Sequence, residues 1–227
     1  MARTVNAAVH AVRRDAFVDV AQRLIQAKGY EQMSVQDVLD ELGASRGAFY
    51  HYFGSKADLL EAVVERMVEA ATAALAPIVA EQDLSALAKL EGVFAGLARW
   101  KGERTELMLA LLRVWRSDEN AIVREKFRRG IVIHLAPPLT AIVEQGKAEG
   151  LFTATSPDQV ARVLVSLIQS ANEAAVELFF ARQADTIPFE NVERTLEAYK
   201  EAYERILGLP AGALSIGDPT MLHQWFG

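Results

Sequence analysis

At 227 residues, with 51% hydrophobic and 24% charged side chains, the chain has an ordinary globular composition and is long enough to bury a substantial core in one or two domains. It contains no cysteine, which excludes disulfide staples, thiolate metal sites and thiol redox sensing and fits a reducing cytoplasm. The net charge of −6 argues at face value against nucleic acid, but residues 1–60 balance seven Lys/Arg (3, 13, 14, 23, 28, 46, 56) against seven Asp/Glu (15, 19, 31, 37, 40, 41, 58), so the front is neutral and the excess acid lies behind it.

The opening Met-Ala-Arg-Thr-Val-Asn-Ala-Ala-Val-His has no apolar h-region, so no secretory leader is expected; Arg3, Arg13 and Arg14 make it a basic arm. Apolar residues then recur at three- and four-residue spacing along nearly the whole chain, and an all-helical fold of about nine helices is predicted. The first helix runs from about Val9 to Lys28 with Val12, Phe17, Val20, Leu24 and Ile25 inward, and Gly29 stops it. Ser34, with Asp37 three residues on, opens a short helix in capping-box fashion; its apolar face is Val35, Val38, Leu39 and Leu42, and Gly43 ends it. A third short helix spans about Ser45 to Tyr52. Ser55 and Asp58 cap a fourth, with a stripe from Leu59 to Leu75.

Further helices are predicted at about 84–100, 103–116, 119–149, 157–182 and 189–207. Pro137-Pro138 should kink or break the 119–149 segment, because two backbone donors are missing there. The apolar run Ile131 to Val143 is too short to span a bilayer, so a soluble cytoplasmic protein without a membrane partner is expected. Ser156-Pro157-Asp158-Gln159 reads as a complete helix start, with an N-cap, a proline at the first position and a glutamine placed to reach back. The tail 211–227 has only a weak helical pattern.

The stretch from Ser34 to Leu60 carries the functional signal. Two short helices joined by a turn containing Gly43 make a helix-turn-helix arrangement, in which the second helix lies in the DNA major groove. Phe49 and Phe53 share one face of that helix with Ala48 and Tyr52 beside them and should pack inward, leaving Arg46, Gly47, Tyr50 and His51 outward. Arg46 offers a planar fork for a guanine edge or a phosphate, and Gly47 lets the backbone approach a base. Ser45 can cap the helix or reach a base edge, while Tyr50, His51 and Ser34 have polar tips of a length suited to phosphate. Lys56, in the first turn of the fourth helix, adds an ammonium to free backbone N–H groups. Each feature also has an ordinary reading: a glycine turn joins many short helices, the two tyrosines can be half-buried packing residues, and Lys56 can pair with Asp58.

The segment Ser34-Val35-Gln36-Asp37-Val38 followed by Leu42 to Leu60 resembles the signature of the TetR (tetracycline repressor-like) family. The resemblance implies a homodimer with a helix-turn-helix DNA-binding domain over residues 1–55 and a divergent helical ligand-binding and dimerisation domain over 56–227. It implies base contact for Ser45, Arg46 and Gly47, and phosphate contact for Ser34, Tyr50, His51, Tyr52 and Lys56. Ala48 stands where members often carry a threonine, so that hydroxyl contact is absent.

Helix 157–182 places Val163, Leu167, Ala171, Ala175 and Leu178 at helical spacing, and helix 189–207 places Leu196, Tyr199 and Tyr203 likewise. These suit either an intramolecular core or a four-helix dimer interface, and the resemblance favours the dimer. For a ligand, the middle helices offer the aromatics Phe94, Trp100, Trp115 and Phe127 and the apolar Met108, Leu111, Leu112 and Ile131, with His134 and Asn172 to orient it; each can equally be plain core. Histidines 10, 51, 134 and 223 show no metal-ligand spacing, and no cofactor is expected. The expected function is a ligand-responsive repressor on a palindromic operator, released by a small apolar or aromatic molecule. Two other readings remain: a DNA-binding regulator without inducer, and a helical carrier or enzyme, for which the sequence has no nucleophile–His–acid set or phosphate loop.

Overall fold

Apolar residues at helical spacing need a partner surface to cover them, and the chain meets that need with helices alone among the described residues of a computed structural model. These are 2–115, 120–217 and 219–227, with side chains described over 9–112, 120–217 and 220–227. The elements are α1 (Ala2–Lys28), α2 (Val35–Leu42), α3 (Arg46–Tyr52), α4 (Lys56–Ala73), α5 (Ala76–Ala80), α6 (Ala86–Gly102), α7 (Thr105–Trp115), α8 (Ala121–Ala148), α9 (Pro157–Gln183), α10 (Phe189–Leu207) and α11 (Pro219–Phe226). The short α5 and α11 are the additions to the expected set.

The chain forms two compact units, Met1–Val68 with Arg104–Phe127, and Glu69–Glu103 with Arg128–Gly227. In the first, α1 packs against α2 and α7, and its core joins Phe17, Ile25, Val38, Phe49, Phe53, Leu59, Leu60 and Leu107. In the second, α9 lies along α10 and α11, and the core joins Leu90 and Val93 of α6, Leu139 and Ile142 of α8, Leu164 and Ile168 of α9, and Leu207 of α10.

Several elements depart from the sequence expectation for identifiable reasons. Val12 was expected inward but is 70% exposed, because the buried face of α1 begins only at Phe17. Helix α4 stops at Ala73, and Leu75 is buried in a turn leading to α5 instead of extending the α4 stripe. Pro137 and Pro138 do not break α8. They deprive the carbonyls of Ile133 and His134 of their helical donors, but Ile133 lies on the solvent side, where water can replace one of them. The expected capping at Ser156 does not form: the serine makes no side-chain cap bond, and Gln159 donates to Asp158 at 2.7 Å.

The tail, unplaced from sequence, is tied down. Leu214 is buried in the second core, and its backbone N–H donates to Glu204 Oε1 at 3.0 Å. That hydrogen bond is the main cause holding the Glu204 carboxyl below its ordinary range. Arg182 Nε donates to the Phe226 carbonyl at 2.8 Å, and Phe189 stacks on His223 with ring centroids 4.4 Å apart.

Among the described residues one helix, α9, is long and apolar enough to cross a membrane by length and composition. It carries Arg162, Glu173, Glu177 and Arg182 and is packed by α10 and α11.

Burial sets the expected cost of truncation. Leu164→Ala should destabilise the fold by about 2–5 kcal/mol in denaturant unfolding, whereas Ile133→Ala, at an exposed position of α8, should stay within about 0.5 kcal/mol of the parent.

Candidate nucleic-acid interface

The geometry of the α2–α3 unit follows from three local devices. Ser34 caps α2: its Oγ accepts from the Asp37 N–H at 3.1 Å while Asp37 Oδ2 accepts from the Ser34 N–H at 2.7 Å, closing the expected capping box. Gly43 ends α2 at φ +60°, a left-handed conformation that a side chain disfavours, and this reverses the chain within two residues. Ser45 then caps α3, its Oγ accepting from the Ala48 N–H at 3.2 Å.

An aromatic knot fixes the inner face of α3. Phe49 is fully buried, with Phe17 of α1 at 5.8 Å and Phe53 at 5.7 Å between ring centroids, largely in edge-on or tilted geometry. Because Phe49 and Phe53 take the inner side, Arg46, Gly47 and His51 are exposed, and Tyr50 stands 58% exposed. Tyr52 is half-buried, its ring 5.7 Å from Phe17 and 4.6 Å from His10. At Gly47 an added Cβ would meet only Ser45 Oγ at 3.8 Å, so the helix itself does not demand glycine there.

Charge on this face is selective. Most cations around it are engaged: Arg23 with Glu41 at 2.7 Å, Lys28 with Asp37 at 2.7 Å, Arg14 over the Phe53 ring, and Arg66 with Asp19. The Lys28 ammonium, with Ser34, holds the Asp37 carboxyl far below the usual carboxylate range. Lys56 was expected as an open phosphate anchor, yet its Nζ lies 4.2 Å over the Tyr30 ring and 3.4 Å from the Glu31 carbonyl, and burial lowers its pKa. Arg46 and Arg13 are exposed and have no ion pair among the described residues. The four histidines looked scattered, but the fold brings His10 and His51 to 5.4 Å between ring centroids. His10 therefore joins this face as a residue that spacing did not reveal, since it lies on α1 rather than within the helix-turn-helix.

The other sequence candidates separate. Met108, Leu111 and Phe127 belong to the first unit's core, while Phe94 and Ile131 pack on the second unit's core. Trp100 and His134 are half-buried, and Asn172 accepts a hydrogen bond from Lys101 Nζ at 2.7 Å. The Trp115 side chain lies outside the described residues. Of the dimer candidates, Val163 is 46% exposed, and Leu167, Ala171, Ala175, Leu178, Leu196 and Tyr199 are half-buried. Tyr203 departs from the set: it is 3% exposed, its ring is 5.0 Å from that of Phe94, and burial raises its hydroxyl pKa. Its ring is therefore covered within this chain, by Phe94 of α6. Among the described residues no three His, Asp or Glu side chains gather to hold a metal ion.

Residues 17–63 match the family model described as bacterial regulatory proteins of the tetR family. A helix-turn-helix regulator from Lactococcus lactis is 33% identical over 78 residues, a match spanning 34% of this chain and 40% of that protein. The helix-turn-helix transcriptional repressor AcnR of Corynebacterium diphtheriae is 24% identical over 84% of this chain and 91% of its own length. Among solved structures, a TetR transcription regulator from Haloarcula marismortui shares the fold with a TM-score of 0.61 at 24% identity, over 87% of this chain and 97% of that one. RolR in complex with resorcinol shares it with a TM-score of 0.62 at 18% identity, over 90% and 92%.

Gly47→Ala should leave the fold intact and raise its stability by up to about 1 kcal/mol in thermal unfolding, because an added methyl group would meet only Ser45 Oγ at 3.8 Å. Asp37→Asn should lower the melting temperature at neutral pH and flatten its pH dependence. The folded carboxyl is depressed, so its stabilisation is complete above the ordinary carboxylate pKa of about 4 and is lost as pH falls toward the depressed value. Melting temperatures recorded from neutral to acidic pH on both proteins check this.

Proposed function

From a chain that belongs to the TetR family of bacterial transcriptional regulators, we propose a homodimeric repressor that binds a palindromic operator and is released by a small apolar or aromatic molecule. Residues 1–55 read the DNA, and residues 56–227 dimerise and sense the effector in the cytoplasm. The observation that carries this reading is the outer face of α3. Arg46, Gly47, Tyr50 and His51 stand exposed on a helix whose other side is locked by Phe49 and Phe53. A helix held this rigidly can enter a major groove with Ser45, Arg46 and Gly47 toward base edges and with Ser34, Tyr50, His51 and Tyr52 toward phosphates. Lys56 joins the phosphate set once the DNA backbone outcompetes the Glu31 carbonyl and the Tyr30 ring.

Helix α9 supports the dimer. Its buried residues are Ala161, Leu164, Val165 and Ile168, all in its first half. Beyond them Ala171, Ala175 and Leu178 are half-exposed on an apolar helix, and Val163 and Leu167 continue the same surface. With Leu196 and Tyr199 of α10 they offer a two-fold interface with small residues for close approach. A two-fold dimer sets the half-sites about one helical turn apart or slightly more.

Ligand release works through α4, which starts at Lys56 beside the recognition unit and runs to Ala73 in the second unit. An effector that shifts this helix changes the separation of the two recognition helices, and a coupling of about 1–3 kcal/mol suffices to empty the operator. The resorcinol bound by RolR, a protein of similar fold, is a small aromatic of the expected class.

Selection of genomic fragments by the purified protein should recover one short palindrome; recovery of nothing above random DNA, with and without added cell metabolites, would sink the repressor reading. On the recovered operator, Arg46→Ala should cost about 1–3 kcal/mol and relax preference at one base step. Lys56→Ala should weaken specific and random DNA alike and reduce the salt slope by about 1. Equal losses on both DNAs for Arg46→Ala would reassign that residue to phosphate.

A further inference from the structure

In the second unit, the ammonium of Lys101 has a neutral side chain as its partner among the described residues. Lys101, in the last turn of α6, is half-buried as a residue, and its ammonium sits deep enough that burial drops its pKa to about 8. Four other lysines have acid nearby: Lys28 meets Asp37, Lys126 meets Glu61, Lys200 meets Glu197, and buried Lys89 lies in the field of Glu149. Lys101 has no carboxylate partner among the described residues; its Nζ donates to the neutral Asn172 Oδ1 of α9 at 2.7 Å.

The pair is rich in donors and poor in acceptors. One ammonium proton goes to Asn172, whose carbonyl oxygen it occupies, and no acceptor among the described residues takes the Asn172 amide N–H₂. The remaining protons of Lys101 and those of Asn172 therefore present donors from two helices to a common neighbourhood. An anion with two acceptor oxygens satisfies both; a cation or a pure donor satisfies neither. The adjoining surface is apolar. Phe94 and Leu97 precede Lys101 by two turns and one turn on the same face of α6, Ile168 lies one turn before Asn172, and all three pack in the second core. Helix α11 comes close to the end of α6, since a Cβ on Gly102 would stand 3.1 Å from Met221 Cε.

We propose that Lys101 and Asn172 form the head-group site of the effector, and that the effector is an organic monocarboxylate with an apolar body. This rests on the reading of the second unit as a small-molecule sensor and adds an anionic head group to the small apolar or aromatic effector proposed above. A carboxylate beside an ammonium whose partner is neutral forms a charge-assisted hydrogen bond and neutralises its charge, a gain unavailable to a neutral isostere.

The test is thermal unfolding of the full chain at constant ionic strength with benzoate, phenylacetate and octanoate, each beside its amide. At least one acid should raise the melting temperature of the parent by a few degrees while its amide does not, and Lys101→Met should weaken that response about tenfold or more. Asn172→Leu, which leaves the lysine in place, should weaken it too and serves as the readout if Lys101→Met fails to fold. Absence of a shift with every acid, equal shifts with acid and amide, or an undiminished response in the foldable variant overturns the proposal. Operator binding measured without ligand on the same preparations separates the two readings: if the operator is bound while the acids do nothing, only the head-group assignment falls, whereas loss of specific DNA binding in the parent removes the regulator itself.

Discussion

The packing of Phe49 against Phe17 and Phe53 is the constraint on which the DNA-facing unit depends. A seven-residue helix has almost no stability of its own, because nucleating it costs more than its few hydrogen bonds return. What keeps α3 in place is therefore its buried edge. Three aromatic rings from α1, α3 and the turn after α3 close around one another, and the caps at Ser34 and Ser45 fix the ends of α2 and the start of α3. With rotation about the helix axis settled by Phe49, the outward direction of Arg46, Gly47 and Tyr50 follows from 3.6-residue periodicity.

This part of the molecule was the most legible in the sequence, and for a physical reason. Capping boxes, a glycine at a left-handed position and two phenylalanines four apart act over a few residues, so their spacing is itself the signal. The misreadings arise where the decision is made far away. Val12 has the right phase to be buried, but no partner surface reaches it. Pro137 and Pro138 carry a local helix-breaking signal that packing of Leu135, Leu139 and Ile142 on the core overrides. Tyr203 keeps the rhythm of an interface residue but meets Phe94 from another helix. Neither His10 beside His51 nor Lys101 on Asn172 leaves a periodic trace, because each pair joins residues distant in sequence.

Two ionisable groups in the second unit are treated in opposite ways, and the contrast separates structure from function. Glu204 is 3% exposed yet well supplied: backbone N–H groups of the tail around Leu214 surround its carboxylate and hold its pKa down. Its partners are already part of the fold, so it serves to anchor the tail. Lys101 has the reverse arrangement, with a charge disfavoured by its surroundings and one neutral partner. A protein interior tolerates such a group at a cost in stability, and an anion supplied from solution removes that cost.

The same accounting of partners explains how an acidic protein can be matched to DNA. Around the α3 face, Arg23, Lys28 and Arg66 are tied to acids on neighbouring elements, and Lys56 rests on an aromatic ring. These pairs stabilise the unit but release few counterions when a phosphate approaches, because their charges are already compensated. The cations left without an ion pair there, among the described residues, are Arg46, on the outer face of α3, and Arg13, on α1. With only these cations unpaired, one copy of such a face would gain little counterion release on arbitrary DNA. Under the proposed repressor reading, specific binding would come from base-edge geometry at Arg46 and Gly47 and from two copies acting at once, the second half-site being engaged at the high effective concentration set by the first. On this logic a dimer would be a condition of the proposed operator recognition. In such a dimer the proposed sensor domain would need only to alter the spacing of the two copies to switch binding off, without touching a residue of either α3 face.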